Sequence, residues 1–192
     1  MTTKASKSEL AAYLKEHLPK KRRKHIAGVR DTAAEYATAH GVDTDGADLA
    51  ALLHDTAKWM PTQMQFAECA RYGVRLTRED RLNPVALHGY IAAEMGRERF
   101  GVDERVCEAV RCHTTGRVGM TDLDMVLYAA DFSEPSRPFP EAATARKLVL
   151  ADLRDGVLRT MRFRLQALLK KGRLIHPRTV EAMNDLITRA RS

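Results

Sequence analysis

No stretch of about 18 consecutive apolar residues occurs in this chain, so a membrane-spanning helix is not expected. Strand signals are also nearly missing: nowhere do apolar and polar residues alternate convincingly over six or more positions. Cysteine is scarce. Cys69, Cys107 and Cys112 are odd in number, and the last two lie off a common helical face, which favours free thiols in a reducing compartment over disulfides or a zinc knuckle. Aromatic residues make up only 6% of the chain, too few for interleaved base-stacking platforms. Residues 1–7 are polar and basic with no apolar core behind them, so no secretory signal is expected and the default location is the cytoplasm. There is no internal repeat, low-complexity tract or Gly/Ser linker.

What the chain has is positive charge and helical periodicity. Its 192 residues, 44% hydrophobic, suffice for one well-cored domain with a small helical annex. A net charge of +7 points to an anionic partner: nucleic acid, an anionic lipid surface or a small polyphosphate. The basic residues gather in 15–30 and 154–173, and with so few aromatics among them nucleic acid is the minor option.

A 3.6-residue periodicity recurs throughout and predicts an all-α fold. Helices are expected over about 6–17, ended by Pro19, and over 21–40, with His25, Val29, Ala33 and Tyr36 on one face and Gly41 as a left-handed stop. A third, over 47–58, carries His54 and Asp55 near its C-terminal end, and a fourth runs from Pro61 to Tyr72. Residues 74–83 are charged and irregular and read as a mobile loop. Pro84 opens a helix with His88, Ile91, Ala92 and Met95 on one face, and another runs from Asp103 to His113. Thr121 caps the helix bearing Leu123, Val126, Leu127 and Asp131. Prolines stiffen the loop at 134–138, and the remainder reads as helices broken near Gly172 and Pro177.

The chain is organised around His54-Asp55-Thr56-Ala57-Lys58. Adjacent residues on a helix project about 100° apart, so His54 and Asp55 turn to one point only if something central, such as a metal ion, recruits both. His25, His54, Asp55, His88, His113 and Asp131 all interrupt otherwise apolar faces or helix ends. Any one of them alone reads as a core histidine with a satisfied hydrogen bond, or as a solvated cap. Burying all six without a shared partner would cost on the order of a few kcal/mol each. A dinuclear metal centre relieves that cost and gives every one of them a purpose, with Asp55 placed to bridge. Imidazole and carboxylate ligands suit iron, manganese or zinc better than calcium or magnesium. His17 and His40 read as surface residues, and Trp59 as core.

In their order, His25, His54-Asp55, His88, His113 and Asp131 resemble the HD-domain metal-dependent phosphohydrolase superfamily. The longer words His54-Asp55-Thr56-Ala57-Lys58, His113-Thr114-Thr115-Gly116, Tyr128-Ala129-Ala130-Asp131, Glu134-Pro135-Ser136-Arg137-Pro138-Phe139-Pro140 and Ile175-His176-Pro177 resemble one branch, the YqeK-type symmetrical dinucleoside tetraphosphatases. Gly89 to Ala93 and Met125 depart mildly from that branch. The resemblance implies an HD-domain helical bundle over residues 20–140, preceded by an N-terminal helix in 1–19 and followed by a packed C-terminal helical extension in 141–192. It implies a dinuclear centre, iron first, with manganese or zinc as alternatives. The implied reaction splits diadenosine tetraphosphate, or a similar dinucleoside polyphosphate, into two ADP by a water made nucleophilic at the metals. Asp55, Lys58 and Arg137 would be catalytic, the last two as cations on the phosphates. Substrate would be held by Asp55, Thr56, Ala57, Lys58, His88, His113, Asp131, Arg137 and His176, with the Thr114-Thr115-Gly116 turn as an anion cradle. Lys58 as a solvated end-of-helix residue and Arg137 as a surface ion pair are the plainer alternatives. The rival activities are another HD-domain nucleotide phosphohydrolase or phosphodiesterase, and a basic RNA- or ribosome-binding protein without activity. A homodimer is left open.

Overall fold

The computed structural model describes residues 4–189, with side chains from Lys7 onward. The first and last three positions, part of the expected segments 1–19 and 141–192, lie outside the described residues. Among the described residues there are eleven α-helices and no strand. They are α1 (Lys4–His17), α2 (Lys20–His40), α3 (Thr44–Leu53), α4 (Thr62–Arg71), α5 (Arg78–Leu82), α6 (Leu87–Glu98), α7 (Glu104–Cys112), α8 (Asp122–Ser133), α9 (Pro140–Ala151), α10 (Leu153–Lys170) and α11 (Pro177–Arg189). None of them is long and apolar enough to cross a membrane.

The apolar faces decide the packing. The expected stripe on α2 is buried, with Val29, Ala33 and Tyr36 wholly inaccessible, and it lies against α3 and α8. Helix α6 packs on α7, α7 on α8, and the pair α9 and α10 covers another side of α8 while α11 rests on α10. Helix α8 is thus the central element, and all but two of its residues are buried. Each Leu or Val fully buried in this shared core contributes about 1.5–3 kcal/mol relative to exposure. Capping follows the sequence signals. Thr121 and Asp124 form a reciprocal capping box at the start of α8, and Gly41 ends α2 at φ 65°, a left-handed conformation that glycine adopts without steric cost.

Several expectations are corrected. Helix α3 stops at Leu53, so His54 and Asp55 stand at and beyond its end rather than on a regular helix reaching Lys58. Local side chains take the last carbonyls: His54 Nδ1 bonds the Ala51 oxygen at 2.6 Å and Thr56 Oγ1 bonds the Leu53 oxygen at 3.0 Å, which favours a turn over another helical turn. Residues 74–83 are not a loose loop, because Thr77 and Asp80 build a second capping box for α5 and Asp80 is fully buried. Pro84 opens a short 3-10 turn, Pro84–Ala86, before α6 begins. The C-terminal region carries a further break at Asp152, whose extended backbone and side-chain bond to the Asp155 amide start α10. His40 is half-buried, with Nε2 donating to the Val149 carbonyl at 2.6 Å, and His17 is half-buried and stacked on Tyr13 at 4.0 Å. All three cysteines are free and buried.

Candidate metal centre

Five segments deliver the six side chains. His25 comes from α2, His88 from α6 and Asp131 from α8, while His54 and Asp55 follow the end of α3 and His113 follows the end of α7. A helix C-terminus gives a histidine freedom to turn inward while its ring nitrogen holds a terminal carbonyl. His54 does this with Ala51, and His113 does it with Val110 at 2.6 Å. A carbonyl only accepts, so Nδ1 of each ring carries the proton and a neutral ring leaves a lone pair on Nε2. His25 is oriented in the same sense by Glu134, whose Oε1 lies 3.0 Å from its Nδ1. Carboxylate or carbonyl bonds of this kind on the far nitrogen orient metal-binding imidazoles. The ring of His113 also needs Gly89, because a Cβ there would stand 3.1 Å from its Cε1.

Two groups of donors converge. His25, His54 and Asp131 form one, Asp55, His88 and His113 the other, and within each the ligand atoms lie within 4.8 Å of one another. Asp55 joins them. Its Oδ1 faces His88 Nε2 at 3.3 Å, and its Oδ2 stands 3.6 Å from His54 Nε2 and 3.8 Å from His25 Nε2. Nε2 of His54 is buried with no hydrogen-bond partner, an orphan that ordinarily costs 1–3 kcal/mol or so unless something binds it. The donor set, four imidazoles and two carboxylates turned to shared points, fits a divalent transition metal.

The protonation states suit the same purpose. Burial pushes the imidazoles of His54 and His88 down and that of His113 to about 4, so they are neutral at pH 7. Burial works against charge on Asp55, yet the fields of His54, His88 and Lys58 hold it well below the ordinary carboxylate range. Asp131 is held low in the same way, by the His25 hydrogen bond and by Arg164 and Arg137. For His25, burial is outweighed by bonds to Asp131 and Glu134, which raise it.

Cations surround the carboxylates. Lys58 Nζ sits 3.2 Å from both ring nitrogens of His88. Arg137 bonds the Asp131 carboxylate, and its Nε also bonds the Asp131 carbonyl at 2.8 Å. Two arginines that sequence reasoning passed over join them: Arg22 bonds Asp55 Oδ2 at 2.8 Å and Arg164 bonds Asp131 Oδ2 at 2.9 Å. Arg22 was findable, since it lies one helical turn before His25 on α2. Arg164 was not, because α10 is remote in sequence from Asp131. Glu134 lay inside a quoted motif, but its burial was not legible there.

The remaining expected residues divide. Thr114 reaches the centre, with Oγ1 3.3 Å from His113 Nε2. Thr56 and Ala57 are fully buried, and the Thr56 hydroxyl is engaged at the helix end, so neither presents a polar group to the cluster. Thr115 is buried with its hydroxyl turned to the Gly116 carbonyl, and His176 pairs with Asp80 at 3.2 Å. Both Thr115 and His176 line a cleft of about 450 Å³ beside the cluster, along with Thr114, Phe132, Arg164 and Leu168.

A family model described as HD domain matches residues 22–151, which span all six converging side chains. The chain belongs to the HD-domain family. The chain is 35% identical over 184 residues to a symmetrical bis(5'-nucleosyl)-tetraphosphatase of Bacillus subtilis, covering 95% of this chain and 98% of that one. It is 34% identical to the protein of the same name from Halalkalibacterium halodurans, covering 91% and 93%. Among solved structures it superposes on a protein from Clostridium acetobutylicum, described as a predicted HD superfamily hydrolase involved in NAD metabolism, with a TM-score of 0.91 and 36% identity over 95% of this chain and 97% of that one.

Proposed function

We propose that this HD domain hydrolyses dinucleoside tetraphosphates symmetrically, diadenosine tetraphosphate to two ADP, at a centre of two divalent cations. The observation that carries the reading is the Asp55 carboxylate, one oxygen toward His88 and the other toward His25 and His54. The names of the relatives support the substrate class. His25, His54 and Asp131 would hold one cation, and His88 and His113 the other, with Asp55 contributing at the junction of the two groups; iron is our first choice, with manganese or zinc next. When bound, such a pair supplies Lewis-acid neutralisation of phosphoryl oxygens and acidifies a nucleophilic water.

The protein's own groups do the rest. Lys58, Arg22, Arg137 and Arg164 form a ring of positive charge in which a tetraphosphate replaces the present partners, His88 for Lys58 and carboxylates for the three arginines. The Thr114 hydroxyl donates to a phosphoryl oxygen, and the adjoining cleft takes a nucleoside against Phe132 and Leu168. Part of the +7 charge is therefore turned inward, which favours a small polyphosphate over RNA as the anionic partner. Arg164 belongs to the segment 141–192, so that extension completes the site built by 20–140, while α1, within the segment 1–19, serves as a supporting helix. We place the enzyme in the cytoplasm; a homodimer is compatible with this reading.

Protein purified without chelator should contain close to two metal equivalents and release two ADP per diadenosine tetraphosphate. Asp55→Asn should lower kcat/KM on the order of 10³-fold, several kcal/mol of transition-state stabilisation. Metal-loaded enzyme that leaves this substrate intact but cleaves nucleoside monophosphates or cyclic nucleotides would replace the substrate assignment.

A further inference from the structure

Phe132 divides two hollows. One face of its surroundings is the cleft beside Thr114; together with Ala167 and Lys171 it also lines a second hollow of about 430 Å³ on the side of the Arg137 loop. Both volumes fall in the range of small-molecule sites, about 300–1,000 Å³. The second hollow is aromatic in a chain that has few aromatics. Of the five phenylalanines in the sequence, Phe132, Phe139 and Phe163 meet here. The Phe132 and Phe139 centroids are 4.9 Å apart, and Phe132 and Phe163 lie nearly parallel at 6.4 Å, 13° between planes. Phe139 and Phe163 remain half-buried, so this is an incompletely covered aromatic surface rather than closed core.

Its rim carries charge of the right sign. Lys170 and Lys171 are exposed at its edge, and Glu141 is the acidic residue of the lining. Aromatic faces stack bases, ammonium groups meet phosphates as point charges, and a carboxylate accepts from ribose hydroxyls. The hollow is linked to the cluster along the chain. Phe132 follows Asp131 directly, and Phe139 stands two residues after Arg137, whose guanidinium bonds Asp131. Arg164 and Thr114 connect the first cleft to the same cluster, and the two hollows adjoin at Phe132, Ala167 and Lys171.

We propose that the Phe132–Phe139–Phe163 hollow binds the second nucleoside of a dinucleoside polyphosphate. The proposal rests on the hydrolase reading given above: cleavage in the middle of a tetraphosphate leaves a nucleoside on each side of the attacked phosphorus, and the cleft beside Thr114 accounts for only one. The substrate is held folded around Phe132, with Lys170 and Lys171 drawing the distal phosphates toward α10.

The test compares diadenosine tetraphosphate with adenosine 5'-tetraphosphate, which lacks the second nucleoside. Phe163→Ala should raise KM for the dinucleotide about tenfold more than KM for the mononucleotide, with kcat little changed, as loss of one stacking face predicts. Phe163→Tyr, which keeps the ring, should restore the wild-type ratio. Equal effects on the two substrates, or no effect on either, would overturn the assignment. An independent reading comes from calorimetric titration of the metal-loaded enzyme with ADP, which should bind two equivalents in the wild type and one in Phe163→Ala. A single equivalent in the wild type also overturns the second seat. If neither tetraphosphate is cleaved, the hydrolase reading has failed, and the ADP stoichiometry still decides the seat.

Discussion

Asp55 and Asp80 are both aspartates buried among helices, each near histidine and arginine, and their surroundings differ in kind. Asp80 accepts from the Thr77 amide at 2.9 Å, the Thr77 hydroxyl at 3.1 Å and the Tyr90 hydroxyl at 2.9 Å, and it faces His176 Nε2 at 3.2 Å. The other nitrogen of His176 accepts from the Arg178 amide at 3.2 Å. Every polar atom in that network has a partner, and the network ties the segment before α6 to the segment before α11. Around Asp55 the donors instead converge and stay incomplete: His54 Nε2 has no partner, and the Nε2 atoms of His88 and His113 stand 3.1 Å apart. A closed network contributes stability and fixes geometry; an open one, held rigid, binds something. The Asp55 cluster gathers four imidazoles and two carboxylates, whereas Asp80 meets one imidazole and the hydroxyls of Thr77 and Tyr90, so hydroxyl donors close one network and convergent lone pairs leave the other open.

That contrast can be broken or sharpened experimentally. Asp80→Ala leaves His176 and Tyr90 without their buried partner, and should lower the free energy of unfolding by about 3–5 kcal/mol while metal content stays at the wild-type level. Urea unfolding with parallel metal analysis reads both; metal loss at unchanged stability would reverse the roles assigned to the two clusters.

Acid should act on the open cluster next. The folded-state value of His113, about 4, lies below its ordinary 6.5, so between those values the unfolded chain binds the extra proton. Its contribution is therefore full above about pH 6.5 and is lost as the pH falls toward 4, on the order of 3 kcal/mol for the metal-free protein. His54 and His88 act in the same direction, and His25, whose value is raised, opposes them. Urea midpoints of chelator-treated protein across pH 4–7 should decline toward acid, and His113→Asn should flatten that slope. A slope unaltered by the substitution would place the titrating group elsewhere.

The smallest effect is expected one shell out. Glu134→Gln weakens the hold on His25 Nδ1 without touching the donors, and should lower metal affinity about 10-fold with little change in stability. Competition with a chromogenic chelator measures it; undiminished affinity would mean that the Glu134 carboxylate is needed for the Ser136 turn alone.

The sequence by itself determined the helical class, most helix ends and the six residues that meet, because 3.6-residue periodicity, glycine and proline stops and capping residues act over a few positions. It also carried Arg22 beside His25 and the Thr77-x-x-Asp80 cap, had spacing been followed one turn further. Only the tertiary structure decided that α3 ends before His54, that Glu134 backs His25, that Asp80 closes a network while Asp55 opens one, and that Arg164 crosses from α10 to Asp131. Those outcomes depend on which side chains from distant segments reach a given carbonyl or carboxylate first, and no local pattern encodes that competition.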